Sequence, residues 1–200
     1  MKNKMKKGNI ILLSILAVLV LLVFNACGSY NNMNEKRTVT EGAWAKVQSA
    51  YQRRLDLIPN LVATVKGAAN FEQKTLTDVI EARAKASSIQ VDPDKLTPEN
   101  IKKFQGAQGE LSQALGRLMV VSEQYPQLRA TQNFSELQSQ IEGTENRIKV
   151  ERDNFNDAVT SYNVYIKNFP QVIYSGIFGF DKKGFFEADA AAAKAPEVKF

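Results

Sequence analysis

The chain of 200 residues contains no histidine. That removes the commonest general base near neutral pH, the usual zinc ligand and any Ser-His-Asp arrangement. It contains one cysteine, Cys27, so an intrachain disulfide is excluded and packing alone must hold the fold. No run alternates apolar and polar residues as a half-buried strand does, and no internal repeat is visible. Acidic residues are missing from residues 1–27, which carry Lys2, Lys4, Lys6 and Lys7. Setting those four lysines aside from the 26 basic residues leaves 22 against 21 acidic ones, a balance of +1. The outward part therefore has no net field to hold nucleic acid, and a nucleic-acid partner is not expected.

What is present begins with Ile10–Phe24, apolar except for Ser14. A basic start followed by such a run is an anchoring or secretion signal and is set apart from fold reasoning. Counted from Gly8 to Ala26 it reaches the lower end of the ~20 residues of a spanning helix, whereas a signal core needs only ~7–15. The lysines hold their end in the cytoplasm and send the remainder outward. Cys27, directly after Ala26, resembles the acylated cysteine of a bacterial lipoprotein signal, although Phe24 and Asn25 replace the usual aliphatic and small residues. The other reading is a free thiol at the outer edge of an uncleaved anchor helix, and both stand.

About 170 residues remain, enough for one domain with its own core. Val47, Tyr51, Leu55, Ile58, Val62, Val65, Ala69, Leu76 and Val79 recur at helical spacings, across Pro59. This predicts one long helix over about 33–88, bent near Pro59, whose halves can serve as two members of a bundle. Asp92–Leu96 reads as a loop. Thr97 as cap, Pro98 in the first turn and Glu99 after it start the next helix. Its stripe is Ile101, Phe104, Leu111, Leu115, Leu118 and Tyr125, with Pro126 as its stop and Gly106 and Gly109 allowing a neighbour close. A third helix from about Asn133 carries Phe134, Leu137, Ile141, Ile148, Phe155, Val159, Tyr162, Ile166 and Phe169, and ends at Pro170. Val172–Phe178 adds one short helical piece. Long stripes joined by short loops bury themselves as an all-α, antiparallel, four-helix type of bundle. The organisation is thus an anchor or signal over 1–27, a helical domain over 28–180 and a mobile tail over 181–200.

Chemistry is sparse. Glu142 and Glu145 lie one turn apart, as do Asp78 and Glu81, but such spacing arises on any charged helix face and no Glu-x-x-His partner exists. No catalytic, metal or cofactor site is assigned. Gly176–Phe180 contains glycines without a phosphate-loop pattern. The polar set Arg53, Arg54, Asp56, Asn60, Glu142, Glu145, Asn146 and Arg147 falls on helices expected to be neighbours. Arginines of one helix can pair with glutamates of the other and set helix register, or the set can line a ligand groove. After Phe180 the chain has little core to join. It ends in Val198-Lys199-Phe200, a pattern suited to a PDZ-type groove that captures the terminal carboxylate and takes Phe200 and Val198 in pockets; the alternative is a tail that frays or folds back onto its own bundle.

The strings AWAKVQSAYQRRLDLIPNLVATVKG (43–67), EARAKA (81–86), LGRLMVVSEQYPQLRA (115–130), LQSQIEGTENRI (137–148) and the asparagines of Phe155-Asn156 and Tyr162-Asn163 closely resemble the LemA family. The likeness runs from about Tyr30 to Phe180, and the terminal PEVKF is similar to family tails. The resemblance implies a bacterial envelope protein with one N-terminal anchor and an outward helical bundle. Two departures stand out: a shorter anchor with a cysteine, and Ala68-Ala69-Asn70-Phe71 where many members carry a tyrosine and a histidine. The expected function is a non-enzymatic scaffold or adaptor of the envelope. The alternative is a ligand- or lipid-binding module without a dedicated protein partner.

Overall fold

The computed structural model describes residues 7–67 and 71–187, and all regular structure among them is helical. Helix α1 runs from Lys7 to Lys66, 60 residues without a break. Residues 8–25 are exposed all round, and burial along α1 begins at Ala26 and Ser29. From there an inward face includes Met33, Trp44, Val47, Tyr51, Leu55, Ile58, Leu61 and Val65. The sequence places the start of this helix near Met33. The structure instead joins it to the apolar run, because the lone Gly28 costs a helix only ~1 kcal/mol and no proline lies between them.

The expectation of one helix over 33–88, with the halves on either side of Pro59 as two bundle members, is also corrected. α1 continues across Pro59, and the chain separates after Gly67, with α2 spanning Gln73–Ser88. A proline inside a helix leaves the carbonyl four residues earlier without its donor. Here that carbonyl belongs to Leu55, and Arg83 Nε of α2 donates to it at 3.0 Å. Pro59 therefore ties α2 to α1. Ala69 lies outside the described residues.

A short 3-10 turn at Pro93–Lys95 precedes α3, Pro98–Ser122. The Thr97 hydroxyl accepts from the Asn100 amide at 3.3 Å, capping the first turn as its sequence demands. Glu99 sits beside the same end, and hydrogen bonds from its own backbone amide and the Thr97 hydroxyl lower its carboxyl pKa below the ordinary value. α3 ends at Ser122, before Pro126. That proline opens a single turn, α4 (Pro126–Arg129), where the sequence reads it as a stop. α5 follows over Gln132–Lys167, and α6 over Gln171–Phe178.

α1 and α5 lie antiparallel, with Arg54 opposite Glu145 and Lys36 opposite Ser161. α2 and α3 also run antiparallel, through Lys85–Glu110 and Asp78–Arg117. Three apolar clusters stack along the domain. One surrounds Ile58, Val79, Leu111 and Phe134. The middle one surrounds Trp44, Phe104, Phe155 and Phe186. The third, nearest the exposed start of α1, holds Met33, Tyr162, Ile166 and Phe180.

Two further expectations change. A Cβ on Gly106 or Gly109 would meet nothing within 4 Å, so no neighbour uses them for close approach. Phe169, assigned to the α5 stripe, is 81% exposed, because α5 ends at Lys167 and the chain turns outward before it.

Candidate functional site

The residues of α1, α3 and α5 that face inward are apolar with a few polar exceptions, and one of these, Arg54, gathers partners from two other helices. Its side chain is 1% exposed. Nη1 donates to Ser112 Oγ and to Glu145 Oε2, both at 2.8 Å. Nη2 donates to Gln108 Oε1 at 2.7 Å and to the Gln108 carbonyl at 3.3 Å, while Nε has no partner among the described residues. The guanidinium also lies over the Tyr51 ring, 5.1 Å from its centroid. Gln108 in turn donates to the Ala86 carbonyl at the end of α2. One buried cation thus links α1 to α3 and α5 directly, and to α2 through Gln108.

The other members of the predicted polar set lie elsewhere. Asp56 is exposed and accepts from Gln52, its neighbour one turn earlier, at 2.7 Å. Glu142 is exposed and accepts from Gln138 in the same way at 3.0 Å. Asn60 and Asn146 are exposed. Arg147 reaches along α5 to Glu151, 2.7 Å away, a carboxylate whose side chain is buried and which also accepts from Asn154. Arg53 points away from Arg54 into a cleft of about 510 Å³ between α1 and α5, which Lys46, Arg147 and Glu151 also line. The cleft floor is Ala50, Gly143 and Thr144, whose small side chains leave the space open. Three cations against one carboxylate, Glu151, which is paired with Arg147, leave the cleft lining net positive and favour an anionic group over a neutral one.

Cys27 is exposed and free. Val198 and Phe200 lie outside the described residues, as do Lys2, Lys4, Lys6 and Ala68–Asn70. Phe71, beside the last of these, packs its ring 4.8 Å from that of Tyr125.

A second polar arrangement escaped the sequence. Residues 181–187, read there as tail with little core to join, return across α3 and α5 as an extended strap. Asn163 donates to the Lys183 carbonyl at 2.9 Å and accepts from the Lys183 amide at 3.0 Å. Asn156 makes the same two-way pair with Phe186, at 3.0 and 2.9 Å, and Gln105 with Glu187, at 2.8 and 3.1 Å. A primary amide offers one donor and one acceptor side by side, so it pairs with a lone extended segment as a neighbouring strand would. Phe186 enters the middle cluster beside Trp44, 6.0 Å between ring centroids. Gly184 donates to the Leu96 carbonyl at 2.8 Å, and a Cβ there would sit 2.6 Å from Pro98 Cα. The Lys183 ammonium is buried against the Pro93 and Asp94 carbonyls, and its pKa is lowered by that burial. The signal for this strap lay in Asn163, a polar residue on an apolar stripe.

A profile of the LemA family matches residues 43–200. The chain belongs to the LemA family. Its relatives include magnetosome protein MamQ 2 of Paramagnetospirillum magneticum, 25% identical over 208 residues that cover 94% of this chain and 76% of the relative. Protein LemA of Metamycoplasma hominis is 28% identical over 142 residues, covering 71% of this chain and 61% of its own. MamQ of Magnetospirillum gryphiswaldense is 33% identical over 90 residues, 45% of this chain and 33% of the relative. In this LemA chain the resembling strings carry contacts between elements. RRLDLIP supplies Arg54 and the Leu55 carbonyl, EARAKA supplies Arg83, and the two asparagines hold the strap. The exposed start of α1 is long and apolar enough to cross a membrane, in keeping with a membrane-associated protein.

Proposed function

We propose that this LemA-family chain is a non-enzymatic, membrane-anchored protein of the bacterial envelope, serving as scaffold or adaptor through an extracytoplasmic antiparallel helical bundle. One observation carries the reading: the exposed apolar stretch of α1 runs into the packed domain with no linker, so domain and anchor share one helix. A buried charge network that joins the helices suits a rigid scaffold, since replacing such groups changes packing before it changes chemistry. The outward orientation of the domain is our reading of the lysines before Gly8, by the preference of basic residues for the cytoplasmic side.

The test is made on native membranes. The protein should resist alkaline carbonate extraction, and protease added from the outer face should digest the domain. Digestion only after the inner face is opened reverses the orientation. Intact mass separates the two anchor forms, because an acylated Cys27 requires loss of residues 1–26 while a full-length unlipidated chain removes that form. Crosslinking before detergent extraction should recover one stoichiometric protein partner. The Val198-Lys199-Phe200 terminus is the proposed handle for a PDZ-type partner, and amidating it should abolish binding.

The second reading is a binding module, favoured by the cleft ringed by Lys46, Arg53 and Arg147. Retention of a phosphorylated or carboxylated small molecule or lipid after extraction, lost in Arg53→Gln, selects it over the adaptor.

A further inference from the structure

α6 is the most apolar surface of the folded domain, and it has no protein partner on its outer side among the described residues. Val172 is 48%, Ile173 53%, Ile177 69% and Phe178 42% exposed, with Phe169 next to them at 81%. A monomeric domain rarely leaves so contiguous an apolar patch in water. Its inner side does have partners. Ser175 is buried and donates to the Ile166 carbonyl at 3.1 Å, fixing α6 on the end of α5.

Where α6 sits identifies what covers it. Phe178 and Phe180 stand edge-on to Tyr30, with ring centroids 5.2 and 5.5 Å away. Gly179, at φ 71°, makes the turn that brings Phe180 back to that ring. Tyr30 is six residues beyond Phe24, the last of the apolar run, so about 9 Å separates them along the helix axis. Ala26 and Ser29, where burial along α1 begins, fall within that interval. The Phe178 end of α6 therefore lies against α1 about 9 Å along the axis from the end of the apolar segment.

The rim agrees. Tyr30, Tyr165 and Tyr174 surround this end, three of the six tyrosines of the chain, and tyrosine is enriched at the level of lipid headgroups. Lys167 and Lys182 are exposed beside α6, and the close approach of Lys182 pushes the Lys167 pKa down. Two crowded ammonium groups make a local positive potential that an anionic lipid surface relieves. Asp181 is the acid in the same turn and offsets part of it.

We infer that α6, with Phe169, lies in the bilayer interface beside the point where α1 leaves the membrane, its apolar face seated among lipid chains and its lysines at anionic headgroups. The inference rests on the anchor reading above. It makes the contact with the membrane two-pointed, so that the domain does not turn about the axis of the anchor helix. An interfacial helix of this kind sits about 5–10 Å into the headgroup and acyl boundary.

The test uses the full chain with Cys27→Ala and a single new cysteine carrying an environment-sensitive nitrobenzoxadiazole probe. The positions are Ile173, Ile177, Leu19 in the apolar run, and Gln127 on α4 at the opposite end. Each is reconstituted in vesicles of phosphatidylethanolamine and phosphatidylglycerol, with or without bromine on the upper acyl carbons. Probes at Ile173 and Ile177 should lose at least about half of their emission to brominated lipid, while Gln127 loses none. Quenching at Leu19 with Ile173 and Ile177 behaving like Gln127 would overturn the seating of α6 and leave the anchor intact. No quenching at Leu19 overturns the anchor and this inference together. A blue-shifted, unquenched signal at Ile173 and Ile177 means that a second copy or another protein covers α6, which also overturns it. Both isoleucines are half-exposed or more, so the labels do not displace core groups.

Discussion

Arg54 and Glu145 meet at 2.8 Å from opposite environments, the arginine 1% exposed and the glutamate 56%. The charge that cannot reach water is held by one that can. Coulomb attraction across such a pair is screened on the glutamate side, so its worth lies between that of a surface and a buried pair. Removing the two partners should therefore be unequal. Arg54→Leu strands the buried Gln108 amide and should destabilise by ~2–4 kcal/mol, whereas Glu145→Ala leaves Arg54 with Ser112 and Gln108 and should cost ~1–2 kcal/mol. A double-mutant cycle in chemical denaturation should return a coupling of at least ~0.5 kcal/mol. Additive effects would show that the arginine is held by its neutral partners alone.

Pro59 and Arg83 should behave as one unit. In the wild type, Arg83→Ala leaves the Leu55 carbonyl without a donor and should cost ~1.5–3 kcal/mol. In a Pro59→Ala background residue 59 regains its amide hydrogen and supplies that bond itself. Arg83→Ala should then cost under ~1 kcal/mol. Equal costs in both backgrounds, read from urea midpoints, would separate the two residues.

Much of this was legible in the sequence and some was not. The apolar stripes were readable because helical spacing is a local property, and Val47 through Val65, Ile101 through Leu118 and Phe134 through Ile166 lie largely inside. Pro59 misled because a proline forbids one backbone bond without saying what replaces it. Arg83, 28 residues from Leu55, replaces it here. The strap was hidden for a similar reason: Phe186 has no periodic partner, and its place is set by Asn156 and Trp44, distant in sequence. Polar residues at stripe positions were the available clue, since Arg54, Gln108, Thr144, Glu151 and Asn163 all interrupt apolar faces and are all buried.

The strap should detach as a unit when its tightest contact is filled. Gly184→Ala puts a methyl against the Pro98 backbone, with no flexible side chain to yield. A loss of ~1–3 kcal/mol is expected, typical of overpacking. The chain has a single tryptophan, Trp44, buried beside Phe186. Its emission should therefore shift to the red in Gly184→Ala and in Asn156→Ala, and amide exchange at Lys183 and Phe186 should quicken. Unchanged exchange in both variants would show that the strap is held by its side chains instead.

Alkaline pH should loosen the third cluster. Burial pushes the Tyr162 phenol up to about 12, against about 10 in the unfolded chain. The folded state thus favours the neutral phenol, and that contribution is complete below pH ~10 and disappears as pH rises toward ~12. Lys183, depressed by burial, acts with the opposite sign below its unfolded value and contributes nothing once both states are neutral. Denaturation midpoints should fall between about pH 10 and 12 in the wild type and fall less in Tyr162→Phe. A parallel fall in both would assign the loss to other groups.

With α1 spanning the bilayer as proposed, its continuity makes the domain a lever. From Cys27 to Pro59 the helix rises about 50 Å with no flexible joint, at ~1.5 Å per residue. Spanning helices tilt by ~20° on average and adjust that angle to bilayer thickness, which moves the far end of such a shaft sideways on the order of 15 Å. A change of a few ångströms in lipid thickness, too small for a tethered globule to register, would swing the α4 tip through the width of a helix and a half.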